Sequence, residues 1–186
     1  MSSASTRTST CPTRCSSTPS AAVILGIDPG TTGMGYAFLV AADARATIIE
    51  CGIVDVRASS TAGERLLAIS KALDDLIGRH RPSVLAVERL YFNKNAKTAM
   101  RVSEARGIAL LCGARAGLEI AEYTPQEVKV TVAGHGAADK KAIQAMLPHL
   151  VALDAPVTQD NVADAIAIAL THLQRAKFTA AVAAAT

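Results

Sequence analysis

Val23-Ile24-Leu25-Gly26-Ile27-Asp28-Pro29-Gly30-Thr31-Thr32-Gly33 is an apolar run that ends in a carboxylate and is stopped at once by turn residues. Apolar residues on both sides of the pleat mark a strand buried on both faces, as in the middle of a layered α/β sheet. Asp28 therefore stands at a strand's C-terminal end, at the rim where such sheets hold ligands. The run Ser83-Val84-Leu85-Ala86-Val87-Glu88 repeats the pattern, and the polar, aromatic stretch Arg89-Leu90-Tyr91-Phe92-Asn93-Lys94-Asn95 follows it. Two such strands side by side present two acids at one rim.

A chain of 186 residues, half of them hydrophobic, has enough apolar material for one core of ordinary domain size. Its first twenty residues hold twelve Ser or Thr and no acid, so residues 1–21 are expected to be a disordered tail. Removing that tail leaves residues 21–186 with 17 Lys and Arg against 16 Asp and Glu, so net charge says little about partners. Its distribution says more. Arg89, Lys94, Lys97, Arg101, Arg106 and Arg115 face a single acid, Glu104, over one segment. That is either a footprint for a phosphate backbone or a solvated helix face. No signal-peptide core or membrane-length apolar run is present, which predicts a soluble cytoplasmic protein with no membrane partner. Cys11, Cys15, Cys51 and Cys112 lack zinc-type spacing, and the last two sit in apolar runs as buried thiols do.

Beyond the tail, strands are expected at 23–28, about 34–41 and about 46–56, forming a three-stranded antiparallel meander. An amphipathic helix over about 62–79 sets Leu66, Leu67, Ile69, Leu73, Leu76 and Ile77 against Glu64, Arg65, Lys71, Asp74 and Asp75. After strand 83–88 come a loop, a helix at about 96–116, a strand at 119–123 and short helices at about 125–132 and 138–149. A linker interrupted by Pro148 and Pro156 precedes a last helix at about 159–177. The expected fold is α/β: a five-stranded mixed sheet, the meander plus two parallel strands, flanked by helices over residues 22–178, with a C-terminal tail at 179–186.

The last helix is apolar nearly all round and so must be buried, yet it carries Asp160, Asn161 and Asp164 on one face. Asp160 or Asn161 could simply cap the helix. Asp164 lies one turn inside, where an unpaired carboxylate is costly and needs an arginine or a cation. Asp28, Glu88 and Asp164 gathered at one rim would repel one another, and oxygen-preferring dications, Mg²⁺ or Mn²⁺, relieve that repulsion. Two such ions about 4 Å apart can activate a water and stabilise the leaving oxygen in phosphodiester cleavage.

The meander, the runs Leu25 to Gly30 and Val87 to Asn95, the segment Ser103-Glu104-Ala105-Arg106-Gly107 and the stretch Ala163 to His172 together resemble the RuvC family of Holliday junction resolvases, in the ribonuclease H-like superfamily. The resemblance covers residues 23 to 175. It implies a homodimeric endonuclease with two Mg²⁺ or Mn²⁺ ions per site that binds four-way junction DNA and nicks two opposing strands symmetrically, leaving 5′-phosphate and 3′-hydroxyl ends. It also implies cooperation with the branch-migration proteins RuvA and RuvB.

By position, Asp28, Glu88 and Asp164 match family catalytic carboxylates. The family usually has a fourth acid, or in some members a histidine, three residues before the last Asp; here Asn161 stands there and Asp160 precedes it. Either Asn161 gives its amide oxygen to the metal or Asp160 serves instead. A neutral ligand in place of a charged one should weaken Mg²⁺ binding, which predicts a preference for Mn²⁺. The resemblance places an aromatic that stacks on junction bases at Tyr91, with Phe92 beside it. A ring on an exposed loop can hold an unstacked base, although either could instead plug the core. Lys94, Lys129 and Lys140 fall where the family has basic residues near DNA. Lys140, opening a helix after a Gly-rich loop, is the best placed to stabilise developing phosphate charge. His135 and His172 read as structural. The helix at 96–116, with Ile108, Ala109, Leu110 and Leu111, is a candidate dimer interface.

Two other readings stand beside this one. Asp28 to Gly33 also looks like the first phosphate loop of actin-like ATPases, which need two such domains around the nucleotide. A junction-binding module that has lost cleavage along with the fourth acid is the other.

Overall fold

The computed structural model describes residues 22–30, 33–42, 45–55, 61–89, 96–153 and 157–185, with only the backbone of 96–98. The N-terminal tail, Tyr91, Phe92 and Lys94 lie outside the described residues, as does the side chain of Lys97.

Strands β1 (Ile24–Asp28), β2 (Met34–Val40) and β3 (Ala46–Val54) form the expected meander, with Asp28 opposite Gly35 and Met34 opposite Val54. Helix α1 (Ala62–His80) begins at a reciprocal capping box between Thr61 and Glu64. It returns the chain to β4 (Val84–Glu88), which runs parallel to β1. Helix α2 (Ala96–Arg115) leads to β5 (Glu119–Tyr123), which runs parallel to β4. Pro125 at the first turn and a Thr124–Glu127 capping box start α3 (Pro125–Ala133), and Asp139 caps α4 (Lys140–Leu150). Helix α5 (Asp160–Ala184) closes the chain.

The sheet order is β5-β4-β1-β2-β3-β6, an α/β architecture with helices on both faces. The sixth strand, β6 (Val151–Ala152), corrects the five-stranded expectation: two residues pairing with Ala46 and Thr47 are too few to leave a periodic signal. Helix α4 runs through Pro148 to Leu150, one residue past its expected end. A proline in the last turn forfeits one helical bond, and here its carbonyl accepts from Arg45. Helix α5 continues past residue 177, carried by the alanines that favour helix most strongly. Leu67, grouped by periodicity with the apolar side of α1, faces outward.

Alternation along β1 and β4 divides the core in two. Leu25, Ile27, Leu85 and Val87 pack with α1 and α2, whereas Ile24, Val84 and Ala86 pack with α3, α4 and α5. Asp28 and Glu88, two residues beyond Gly26 and Ala86, thus belong to the α5 side of the sheet. Helix α5 crosses that side closely because β1 carries glycine there: a Cβ on Gly26 would lie 2.2 Å from the Ala165 carbonyl oxygen and 2.7 Å from Ala169 Cβ. Among the described residues no helix is long and apolar enough to cross a membrane. Cys51 and Cys112 are buried, as expected.

Candidate active site

Three elements bring three acids together. The parallel register Ile27 to Val87, continued by one step, sets Asp28 beside Glu88 at the C-terminal ends of central strands. Helix α5 brings Asp164 over the same ends, one turn inside its N-terminus. The three side chains feel one another. Burial, then Asp164 and Glu88, push the Asp28 carboxyl up to about 7 against the opposing pull of Lys140. Glu88 is raised by burial and by Asp164, and Asp164 by burial despite its bond to Lys140.

Lys140 supplies the cation in this cluster. As the first residue of α4 it places Nζ 3.2 Å from Asp164 Oδ2 and 3.2 Å from Asp160 Oδ2. The carboxylates push its pKa up although burial works the other way. Asp160 is exposed and turned toward α4, where Gln144 Nε2 donates to its Oδ1 at 2.8 Å. It is not the helix cap: Gln159 holds that position, without a side-chain cap bond. Asn161 points into the sheet, its Nδ2 donating to the Gly33 carbonyl at 2.8 Å.

Among the described residues no three Asp, Glu, His or Cys side chains close into a ready-made ligand cage. The donor chemistry nevertheless fits a hard dication: three carboxylates, oxygen only, each held above its ordinary range first by burial. Asp28, Glu88 and Asp164 are the residues that could hold it.

The remaining basic residues divide. Arg106 is half-buried and turned inward: its Nε donates to the Glu88 carbonyl at 3.2 Å and its Nη2 pairs with Glu122. It ties α2 to the ends of β4 and β5. Arg101 is exposed on α2, and Lys129 is half-exposed on α3. His172 Nδ1 lies 2.9 Å from Tyr123 Oη, and the Arg175 guanidinium covers the Tyr123 ring. On α2, Ala109 is buried and Ile108 and Leu110 pack against the core, which leaves Leu111 from that apolar group facing out. Sequence reasoning missed the supports, namely the Gly33 carbonyl, Gln144 and Arg106 at Glu88. Their only sequence signal is glycine inside a strand, at Gly26 and Gly35, which marks close backbone approach.

Comparison with known proteins gives one answer. The sequence model of the family described as crossover junction endodeoxyribonuclease RuvC matches residues 24–172. A RuvC from Moorella thermoacetica is 45% identical over 152 residues, covering 81% of this chain and 90% of that relative. One from Pelotomaculum thermopropionicum is 43% identical over 150 residues, covering 81% and 92%. Among solved structures, T. thermophilus RuvC in complex with Holliday junction substrate superposes with a TM-score of 0.80 at 32% identity, covering 85% of this chain and 96% of that one. The yeast mitochondrial Holliday junction resolvase Ydc2, at 15% identity and a TM-score of 0.61, shares the fold.

Proposed function

The chain belongs to the RuvC family of crossover junction endodeoxyribonucleases, and from that premise we propose that Asp28, Glu88 and Asp164 are the carboxylates with which it cuts four-way DNA junctions. The observation that carries this assignment is their mutual electrostatic coupling at one rim, on two adjacent strands and the helix crossing them. The actin-like ATPase reading gives way to the family assignment.

Divalent cations, when bound, supply an activated water and charge stabilisation at the leaving oxygen of an in-line phosphodiester cleavage. Asp28 and Glu88 hold one end of that site on rigid strands, and Asp164 completes it from α5. Lys140, paired with Asp164 and acting by its charge on Asp28 and Glu88, offers its ammonium to the scissile phosphate as negative charge grows there. Arg106 keeps the end of β4 in place through the Glu88 carbonyl. With three carboxylates and a neutral Asn161 in the next turn, the site holds less negative charge than a four-acid one, and Mn²⁺ supports activity better than Mg²⁺ at low metal concentration.

Tyr91, with Phe92, holds an unpaired junction base by stacking. Lys94, Lys97, Arg101 and Lys129 contact the DNA backbone. The working unit is a homodimer in which a second copy covers the outer face of α1 and α2, where Leu67, Met100 and Leu111 are 56%, 65% and 54% exposed. Two-fold symmetry then places two sites for paired nicks. RuvA and RuvB deliver the junction, and the protein works in the cytoplasm.

Glu88→Gln and Asp164→Asn test the assignment. Each variant retains junction binding and loses nicking in either metal. Wild-type nicking by either one would remove that residue from the site.

A further inference from the structure

Helix α5 begins against the sheet on a seat of bare backbone. Asn161 Nδ2 donates to the Gly33 carbonyl, and because a carbonyl only accepts, the bond commits the amino end of the amide. A Cβ on Gly30 would lie 2.5 Å from that Nδ2 and 2.6 Å from the Gly33 oxygen. A Cβ on Gly35 would lie 2.0 Å from the Asn161 carbonyl oxygen. A larger residue at 30 displaces the Asn161 amide from its seat, and one at 35 displaces the backbone of the first turn of α5. The Gly30 amide donates to the Asp28 carbonyl at 2.9 Å, so one of the glycines against Asn161 is tied directly to Asp28. Three residues along α5, one turn further in, stands Asp164. Asp160 takes no part in this seat, being held by Gln144 and Lys140 on α4.

We infer that Asn161 is a positioning residue: it clamps the first turn of α5 to the turn after β1 and so fixes Asp164 opposite Asp28, and its contribution to the cation site is that placement rather than a donor atom. The inference rests on the reading of Asp28, Glu88 and Asp164 as cation ligands. A neutral amide oxygen adds little beside three carboxylates for a hard cation, whereas an ångström of drift in one carboxylate changes the rate by about 100-fold.

The test uses the full chain with Mn²⁺ alone as the binding probe, in wild type, Asn161→Ala, Gly30→Ala and an Asp28→Asn control. Single-turnover cleavage of a mobile four-way junction is followed at a temperature where each variant is folded. Asn161→Ala is expected to bind Mn²⁺ with the wild-type number of sites, to bind the junction as wild type does, and to cleave about 100-fold more slowly even at saturating Mn²⁺. Gly30→Ala keeps the amide but crowds its seat, and is expected to lose rate in the same way. A rate restored to the wild-type value by excess Mn²⁺ in Asn161→Ala would make Asn161 a donor and overturn the inference. So would a wild-type rate in Asn161→Ala. Wild-type Mn²⁺ binding by Asp28→Asn would instead overturn the cation-site reading and take the inference with it, a result seen in the control and not in the Asn161 variants.

Discussion

Lys140 Nζ stands 3.2 Å from Asp164 Oδ2, so the acidic rim of this fold carries its own cation. The ammonium neutralises part of the repulsion that burial and crowding create among Asp28, Glu88 and Asp164. It also competes with any metal for Asp164. Removing it should act on rate and on metal affinity in opposite directions. Lys140→Ala is expected to lower the single-turnover nicking rate by about 10²- to 10³-fold, the effect of losing one preorganised group aimed at developing charge. The same variant should half-saturate with Mn²⁺ at a lower concentration than wild type, which a metal titration of the cleavage rate would show.

Asp28 links metal binding to stability. Its carboxyl is raised from 3.8 to about 7 by burial first and by Asp164 and Glu88 next. A raised carboxyl contributes stability when protonated, in full below pH about 4, and that contribution is lost as pH rises through about 7. At pH 8 the wild type therefore carries the full cost of three crowded charges, and Asp28→Asn does not. Asp28→Asn is expected to melt higher than wild type in chelator at pH 8. Adding Mn²⁺ at about 100 times its dissociation constant should stabilise the wild type by about 2.7 kcal/mol and leave Asp28→Asn nearly unmoved. Thermal melts in chelator and in Mn²⁺ make the comparison.

Far from the acids, Glu50 on β3 receives Tyr36 Oη at 2.9 Å, lies 2.7 Å from His80 Nε2 and pairs with Arg79, pinning the C-terminal end of α1 to the meander. Burial would raise its carboxyl, but the bonds from His80 and Tyr36 and the charge of Arg79 outweigh burial and hold it below its ordinary value of 4.5. A lowered carboxyl contributes stability above its unfolded value, and the contribution fades as pH falls below about 4.5 through the lowered value. Wild type should lose melting temperature across that interval faster than Glu50→Gln, which starts lower at neutral pH. Parallel melting curves from pH 3 to 7 would remove Glu50 from the account of acid sensitivity.

Gly26→Ala tests the packing that delivers α5. A methyl directed at the Ala165 carbonyl at 2.2 Å meets backbone that cannot rotate away, so the helix must lift from β1. The expected cost is about 1–3 kcal/mol or more, read from denaturant unfolding, with loss of nicking in the folded fraction because Asp164 moves with the helix.

Much of this site can be read from the chain alone. Asp28 ends an apolar run halted by turn residues, Glu88 ends one followed by a polar, aromatic stretch, and Asp164 interrupts the apolar body of a buried helix, so each is conspicuous against its surroundings. Their supports are not conspicuous. The Asn161 bond reaches a carbonyl 128 residues away, and Arg106 looks like any other basic residue on α2 until its guanidinium is seen at Glu88. Local pattern reports which face an element buries, but side-chain to backbone bonds between distant segments depend on tertiary placement. The same limit explains β6, too short to carry a period.

Cleavage of an end-labelled, mobile four-way junction by wild type and Asp28→Asn in Mn²⁺ and in Mg²⁺ decides whether Asp28, with Glu88 and Asp164, cuts four-way junctions. Wild type is expected to make paired symmetric nicks, more of them in Mn²⁺ at low metal concentration, and Asp28→Asn to bind the junction without nicking it. Nicking by Asp28→Asn at the wild-type rate, or tight binding by wild type with no nick in either metal, would contradict that role.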